Sequence, residues 1–362
     1  MSPLLELGAF QVTPYSLMVF LGALTGVLFC IRKKEVRPLL PPVIFCALLF
    51  SHWVWLLFNL SQLEGESVLS FALRPWLGGY CLYGALFGGM LGALIGARIT
   101  RTDLTAALDA LAPGACAALF FGRLGEYFSG QGFGDSVEDE SLWFFPLSYC
   151  TYHEEDYQEW CYAVWFWEAA AALILLLVLL YLGKRAVRGE RTVVFLTVLS
   201  CSQIVLEQMR KDDFVRLNAF VRFSQLAAIL TLLVLLILLL HNSRQGSAAW
   251  LLSFGVLIAA SLSIIFAEFL FDKPWFRPWL CLSMAACALL FAGHLRQVLR
   301  QGSLLPSLLY GLLTGTLLLL LIISPDAQNP GLLYAAIAAA SAAIGVTLCL
   351  YRPKSPLSAG RN

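Results

Sequence analysis

The class of this chain is set by residues 105–130, which read TAALDALAPGACAALFFGRLGEYFSG. The segment opens with an almost wholly apolar run, close to the roughly 20 residues that a helix needs to cross a bilayer. Arg123 and Glu126 follow at the end of that run. An ionisable group at membrane depth costs about 2.5–3.5 kcal/mol, so it usually faces a cavity and has a partner. Because arginine grips phosphate with two parallel hydrogen bonds, a lipid headgroup is the first ligand to consider.

The rest of the chain repeats this apolar pattern. Hydrophobic residues fill 59% of the 362 positions and charged residues 13%, a balance typical of a polytopic membrane protein. The net charge of +1 gives no indication of nucleic-acid binding. The sequence predicts an all-α membrane bundle of about eleven transmembrane helices, at roughly 14–31, 42–60, 78–97, 105–121, 162–182, 192–209, 222–241, 247–270, 279–293, 304–323 and 331–350.

The charges of the connecting loops predict the orientation of the bundle. Most lysines and arginines fall in alternate connections, where only Glu35, Asp103 and Glu190 are acidic. The positive-inside rule makes these connections cytoplasmic, which places the N-terminus outside and the C-terminus in the cytoplasm. The first ten residues lack a basic segment and a small-residue cleavage site, so we expect an uncleaved first helix.

The longest connection, at about 124–160, is predicted to form an outer cap. It carries two acidic clusters with the aromatic run Trp143-Phe144-Phe145 between them. Two interpretations stay open: a solvated cap with an aromatic belt at the membrane interface, or a surface that docks a peptide. Cys150 and Cys161 lie in this connection, either as a disulfide, if the cap is extracytoplasmic, or as two free thiols.

Composition predicts a boundary near residue 242. Ionisable residues at outer helix ends are concentrated before it, whereas the later apolar runs are rich in leucine and alanine. We therefore expect one membrane domain at 1–242 and an additional helical bundle at 243–362. Eight of the ten cysteines lie in apolar runs, where cysteine behaves as a small hydrophobe. The sequence indicates no metal site, and we expect no cofactor.

The third predicted helix carries glycines at four-residue spacing, which places them on one helix face. Such a face lets two helix backbones approach closely in lipid. The alternative is a smooth groove wall for an acyl chain. The four residues are Gly84, Gly88, Gly92 and Gly96.

Four side chains at outer helix ends are the main candidates for a site. Arg123 either binds a headgroup or snorkels to the interface. Glu126 lies three residues further on, where it can pair with Arg123 on one helix face. Glu207 and Arg210 show the same spacing, and they form either an intrahelical ion pair or a second cationic arm at the same outer pocket. Arg216 and Arg222 are predicted to lie outside as well.

Other polar groups interrupt the apolar runs. Glu168 and Asp109 each need a cation from another helix or are protonated. His52 and Tyr83 are single polar groups, and such residues are more often packing residues than catalysts.

Seven short segments, taken in order, resemble the prolipoprotein diacylglyceryl transferase family over about residues 8–240. The segment around Arg123 resembles the signature of the family and is the most specific of them. The segments are Gly8–Tyr15, Gly78–Gly84, Asp109–Gly114, Gly122–Gly125, Trp165–Glu168, Glu207–Arg210 and Ser224–Leu226.

The resemblance implies an enzyme of the bacterial plasma membrane. Its members move the diacylglyceryl group of phosphatidylglycerol to the thiol of a lipobox cysteine in a prolipoprotein at the outer face, and membrane lipids surround the protein. By position, Arg123 matches the phosphate-binding arginine of the family, and Tyr15 matches an early tyrosine that donates to the headgroup. Glu207 and Arg210 belong to a closing motif and are implied to bind substrate.

Three positions depart from the pattern that the resemblance implies. Tyr83 stands where the family has a histidine, so it is the second candidate catalytic residue. Gln203 stands where we place a second essential arginine, and Glu126 stands where we expect an asparagine. Both are retained as candidate substrate-binding residues. The family also ends near its seventh helix, whereas this chain has about four further apolar runs.

Two hypotheses about function remain from the sequence. The first is an active, diverged diacylglyceryl transferase. The second is a non-catalytic or repurposed lipid-binding membrane relative. A transporter is a weaker third idea, because the sequence shows no inverted repeat and no paired broken helices.

Overall fold

The computed structural model describes residues 5–7, 10–63, 67–75, 79–152, 158–183, 186, 188–212, 215 and 222–241. The chain divides into two compact units, and we describe each by itself. The first contains Met1–Phe195 and Met209–Ser224, and the second contains Leu196–Gln208 and Gln225–Asn362. The domain boundary expected between residues 242 and 243 lies at the edge of the described residues and stays a prediction.

The first unit is a helical bundle with two small hairpins. A short hairpin of β1 (Leu5–Leu7) and β2 (Phe10–Val12) precedes the helices. The helices are α1 (Pro14–Ile31), α2 (Leu40–Phe58), the short α3 (Val68–Ala72), α4 (Leu82–Thr100), α5 (Leu104–Ser129) and α6 (Val164–Leu182). Within the described residues, five helices are long and apolar enough to cross a membrane, namely α1, α2 with the turn before it, α4, α5 and α6. These five helices coincide with the first five predicted spans.

Local signals explain where two of these helices begin. Thr13 accepts a hydrogen bond from the backbone N–H of Ser16, whose hydroxyl in turn accepts from the backbone of Thr13. Pro14 then occupies the first helical position of α1, where a missing N–H costs nothing. Asp103 caps α5 by accepting from the N–H of Ala106. Cap chemistry thus fixes the start of the helix that carries Arg123.

The end of α5 corrects the predicted span. The sequence predicted an end near residue 121, but the helix continues to Ser129 and stops at Gly130, whose φ is +66°. That left-handed conformation favours glycine and terminates the helix. Arg123 and Glu126 therefore lie inside the helix, and the cap begins after residue 130 instead of at about 124.

The glycine face of α4 packs directly on α2. A Cβ added at Gly84 would lie 2.7 Å from the carbonyl oxygen of Phe50, and one at Gly92 would lie 2.7 Å from the carbonyl carbon of Pro42. No side chain fits between the two backbones. The close-packing interpretation is confirmed, and the alternative of a groove wall for an acyl chain is wrong for this face.

The cap contains a hairpin that the sequence analysis did not predict. Strand β3 (Ser148–Tyr152) pairs antiparallel with β4 (Gln158–Tyr162), and Cys150 lies opposite Trp160. Since successive side chains in a strand point to opposite faces, Cys161 projects to the other face from Cys150. Both cysteines are free thiols, which decides between the two interpretations left open above.

Two further helices complete the described residues. Helix α7 (Glu190–Met209) covers the sixth predicted span but is not among the helices apolar enough to cross a membrane. Its first turn is capped from α5, because Asp109 accepts from the N–H groups of Gly189 at 2.6 Å and Thr192 at 2.8 Å. Asp109 thus has backbone donors for partners. Helix α8 (Phe223–His241) corresponds to the seventh predicted span. The four later predicted spans lie outside the described residues.

Candidate active site

The site begins with an ion pair near the end of α5. Arg123 and Glu126 lie three residues apart on one helix face, and Nη1 of Arg123 donates to Oε1 of Glu126. This pairing was predicted from their spacing and is confirmed. The side chain of Arg123 is only 10% exposed, so the snorkelling interpretation is wrong.

A second carboxylate reaches Arg123 from α6. Glu168 lies in the second turn of that helix, and its Oε1 is 3.3 Å from Nη2 of Arg123. The sequence predicted that Glu168 either pairs with a cation from another helix or is protonated. Arg123 of α5 is such a cation. The two carboxylates hold Arg123 from two helices, which fixes the direction of its guanidinium group.

Arg210 joins the same pair of carboxylates from a distant part of the chain. It follows the last residue of α7 in extended backbone, with ψ of 139°. Its Nη1 lies 3.1 Å from Oε2 of Glu126 and 2.9 Å from Oε2 of Glu168. A bridge between Gly134 and Arg210 attaches this segment to the cap. The interpretation of Arg210 as a second cationic arm is supported by these contacts.

Asp212 fixes the orientation of Arg210. Its Oδ1 accepts from Nε of Arg210 at 3.2 Å, and its Oδ2 accepts from Nη2 at 2.5 Å. The N–H of Gly132 donates to Oδ2 at 2.9 Å, and Arg222 donates to Oδ1 at 3.0 Å. Burial alone would raise the pKa of Asp212, but Arg210, the Gly132 N–H and Arg222 outweigh it and hold that pKa well below its ordinary value.

Asp212 is the residue of the site that the sequence analysis missed. The signal was an acidic residue two positions after Arg210, in a stretch too polar to continue the helix. In extended backbone, residues two apart point to the same side, so Asp212 is placed to bind the arginine before it. Arg222 was only predicted to lie outside, and here it also donates to the carbonyl oxygen of Arg210 at 2.6 Å.

These contacts join six side chains, which we call the arginine–carboxylate cluster. The most buried part of the cluster, which we call its base, is closed to solvent, since the side chains of Arg210 and Glu168 are each 1% exposed. Its rim is more open, because Arg123 is 10% and Glu126 11% exposed. Charges buried in this way interact strongly and tolerate no unpaired member. The members are Arg123, Glu126, Glu168, Arg210, Asp212 and Arg222.

Small residues and aromatic rings surround the rim. Tyr15 of α1 interacts electrostatically with Glu126, Arg123 and Arg210. Its ring also lies where a side chain at Gly125 would be, 3.1 Å from the added Cβ. Among the described residues, a side chain added at Gly122 would meet no atom within 4 Å. Tyr15 therefore packs against α5 at Gly125, while the surface of α5 at Gly122 has room for a side chain.

The structure places the remaining candidates in three other positions. Tyr83 is buried in the first turn of α4, within the first unit. Gln203 and Glu207 are buried on the part of α7 that belongs to the second unit. His52 is buried on α2, where its ring nitrogens face the carbonyl oxygens of Gly79 and Phe71 at 3.3 and 3.0 Å. These contacts agree with the interpretation of His52 as a packing residue.

The chemical capacity of the cluster lies in its two neighbouring guanidinium groups. Arg123 and Arg210 both bind Glu126 and both bind Glu168, so their N–H groups are aimed at the two oxygens of the same carboxylates, one arginine at each oxygen. Planar guanidinium groups arranged in this way suit anions with two or more oxygens, including carboxylate and phosphate. Because the surroundings are largely closed to water, each charge-assisted hydrogen bond is stronger than at the surface.

Comparison with known proteins is consistent with this site. The chain matches the family model described as prolipoprotein diacylglyceryl transferase over residues 3–241. A protein from Tropheryma whipplei (strain Twist) is 29% identical over 224 residues, which cover 56% of this chain and 79% of the relative. Relatives from Streptococcus suis (strain 05ZYH33) and Clostridium kluyveri (strain NBRC 12016) are 24% and 23% identical, each over 67% of this chain and over 92% and 96% of their own lengths.

The names of these relatives agree with one another. All three are called phosphatidylglycerol–prolipoprotein diacylglyceryl transferase. The segments that resembled this family in the sequence lie within the matched range, as do all six members of the arginine–carboxylate cluster. Since the family model covers residues 3–241 of 362, the chain belongs to the prolipoprotein diacylglyceryl transferase family.

Proposed function

We propose that this protein transfers the diacylglyceryl group of phosphatidylglycerol to the thiol of a lipobox cysteine in a prolipoprotein. The reaction takes place at the outer face of the bacterial plasma membrane, which the chain crosses several times. Family membership and the shared name of the relatives support this proposal. The substrates reach the site from the bilayer and from the membrane surface.

One observation carries the proposal. Two guanidinium groups from distant parts of the chain, those of Arg123 and Arg210, converge on the same two carboxylates, Glu126 and Glu168. In the reaction, the cysteine sulfur forms a bond to a glycerol carbon, and the bond from that carbon to the phosphate oxygen breaks. Glycerol phosphate leaves with the electron pair of that bond, and the proton lost by the thiol passes to the departing phosphate or to water. Charge grows on the phosphate as it leaves, so arginines fixed beforehand stabilise the transition state more than the ground state.

The other candidate residues receive supporting roles. Tyr15 lies beside Arg123 and donates a hydrogen bond to the headgroup. Tyr83 orients a substrate, because phenols ionise near pH 10 and are poor bases for a thiol at neutral pH. Arg210 binds substrate and also neutralises the leaving phosphate, and Gln203 and Glu207 stay candidate substrate-binding residues of the second unit.

A second candidate function is favoured by the pairing of the arginines. Arg123 and Arg210 already bind two carboxylates, and that pairing weakens their attraction for a transferred phosphate. The same cluster would suit a protein that binds an anionic lipid without cleaving it. The two functions differ in whether the acceptor cysteine acquires a diacylglyceryl group.

Complementation tests the proposed function. The full chain is expressed in a bacterial strain depleted of its own diacylglyceryl transferase, in parallel with Arg123→Ala and with Arg98→Ala. Arg98 is an exposed arginine at the opposite end of α4 from Tyr83, so its loss controls for the removal of a charge. We expect the wild type and Arg98→Ala to restore growth and lipoprotein processing, and Arg123→Ala to fail.

Expression of every variant is measured in the membrane fraction. Rescue by all three chains would show that Arg123 does not take part in transfer. If no chain rescues although each is present at the level of the resident enzyme, the lipid-binding function is favoured instead.

A further inference from the structure

The position of Glu126 between two arginines indicates which ligand group can take the place of its carboxylate. Its Oε1 accepts from Arg123, and its Oε2 lies 3.1 Å from Nη1 of Arg210. One carboxylate therefore offers two oxygens to two guanidinium groups. The two non-bridging oxygens of a phosphodiester have the same spacing pattern and the same charge of −1, and they bind arginine through the same charge-assisted hydrogen bonds.

Glu168 bridges the same two arginines, but a phosphate from outside cannot take its place. Its side chain is 1% exposed, whereas that of Glu126 is 11% exposed. A phosphate that approaches from outside the cluster meets Glu126 first. A Cβ added at Gly132 would lie 2.6 Å from Oε2 of Glu126. The backbone of the loop after α5 therefore limits the movement of Glu126 on that side, and the exposed fraction of its side chain marks where it is accessible.

Charge balance makes simple addition of a phosphate unfavourable. Among the residues that the structure describes, the contacts of the cluster join three arginines to three carboxylates. A further anion beside these carboxylates is repelled, and burying it without a cation costs several kcal/mol. If the phosphate instead takes the place of one carboxylate, the charge of the cluster is unchanged and the donors of both arginines stay satisfied.

We infer that the carboxylate of Glu126 is an internal competitor for the phosphate site, which holds Arg123 and Arg210 in place until a phosphate-bearing ligand displaces it. The inference rests on the proposed function and adds to it a residue that sets headgroup affinity. The ligand chemistry is a phosphate with at least two free oxygens, as in the phosphodiester of the lipid headgroup, which has two, and in free glycerol phosphate, which has three. Glu126 returns to the bridging position when the phosphate product leaves.

The inference is tested by lipid binding to the full chain in detergent micelles. Phosphatidylglycerol is added at increasing mole fraction, and the midpoint of thermal unfolding is followed by tryptophan fluorescence. We expect Glu126→Gln to reach half-saturation at an about tenfold lower mole fraction than the wild type, because the competing charge-assisted hydrogen bonds are gone. Glu126→Asp keeps the charge but is one methylene too short to bridge both arginines, and we expect an intermediate gain.

Two matched variants separate position from charge. Glu168→Gln removes a carboxylate from the same two arginines at the sealed base, and Glu140→Gln removes an exposed one from the cap. We expect neither to lower the half-saturating mole fraction as Glu126→Gln does. Diacylglycerol, which lacks phosphate, is expected to stabilise no variant selectively. Glycerol phosphate and inorganic phosphate, added alone, show whether a free phosphate is sufficient or the lipid is required.

The outcomes distinguish this inference from the proposed function. Equal responses of Glu126→Gln and Glu168→Gln, or no gain in either Glu126 variant, would overturn the inference alone, provided that Arg123→Gln weakens lipid binding relative to the wild type. If Arg123→Gln binds phosphatidylglycerol as the wild type does, the headgroup site itself is misplaced and both proposals fail. If Glu126→Gln does not fold, Glu126→Asp tests the inference instead, because this variant keeps the negative charge at position 126 and with it the charge balance of the cluster.

Discussion

Asp212 shows how one carboxylate holds the site together. It binds Arg210 through two hydrogen bonds, Arg222 through a third and the N–H of Gly132 through a fourth. It thereby attaches the segment after α7 to the loop after α5. Without it, Arg210 would be buried with one partner fewer, and the two arginines of the site would lose their common orientation.

We predict that Asp212→Asn destabilises the protein by about 3–5 kcal/mol at neutral pH, because it leaves buried arginines without a counter-charge. The pKa of Asp212 is lowered in the folded protein, so its stabilising effect is complete above the ordinary aspartate pKa of about 3.9 and is lost progressively below it. The gap between wild type and variant should therefore narrow as the pH falls below about 4. Thermal unfolding in detergent at several pH values measures this gap.

A matched control for this prediction is Asp135→Asn. Asp135 pairs with Lys211 at 3.1 Å, but both side chains are largely exposed, and exposed pairs contribute about 0–1 kcal/mol. If Asp212→Asn and Asp135→Asn lost equal stability, the burial of Asp212 would not be the reason for its contribution to stability.

The sequence predicts the residues of the site better than it predicts their partners. The three-residue spacing of Arg123 and Glu126 was enough to predict their ion pair. The partners of Glu168 were not predictable, because they come from α5 and from the segment after α7, at separations of 45 and 42 residues. Helical spacing carries no information about such contacts.

The helix pair α2–α4 depends on glycine at particular positions of α4. We predict that Gly88→Ala destabilises the protein by about 1–3 kcal/mol, because the added methyl overlaps the backbone of α2. Its Cβ would lie 2.8 Å from the carbonyl carbon of Cys46. Thermal unfolding in detergent, with the yield of folded protein in the membrane, measures the effect.

The neighbouring glycine provides the control. A Cβ at Gly89 would lie 3.8 Å from that of Ala47, an ordinary contact, and alanine favours a helix by about 1 kcal/mol over glycine. Gly89→Ala should therefore be neutral or stabilising. If Gly88→Ala were equally well tolerated, the two helices would not be as closely packed as described.

At the scale of elements, apolar length was the strongest signal in the sequence. It predicted the five helices that are able to cross a membrane and also the position of α8. It failed at the end of α5, since Gly122, Arg123, Gly125 and Glu126 interrupt the apolar run, although the helix continues to Ser129. It also missed the β3–β4 hairpin, because the acidic residues of the cap masked the alternation in its strands.

The whole molecule brings together three parts of the chain that are far apart in sequence. The end of α5, the beginning of α6 and the segment 210–212 meet in one buried cluster. We propose that this cluster carries the transfer reaction of the diacylglyceryl transferase family, with Arg123 and Arg210 as its two fixed cations. The residues after 241 lie beyond the family match, so the account of transfer rests on the matched part of the chain.

Transfer in a purified system tests the central claim most directly. The full chain is reconstituted in vesicles that contain phosphatidylglycerol, with a lipobox peptide as acceptor and a cysteine-to-serine peptide as control. The mass of the peptide is then measured. We expect the cysteine peptide to gain one diacylglyceryl group with the wild type, and Arg123→Gln to lower the initial rate by about 10²–10³-fold, the usual cost of removing one donor to a developing anion. An unmodified peptide with folded wild-type protein, or an undiminished rate with Arg123→Gln, would contradict the account.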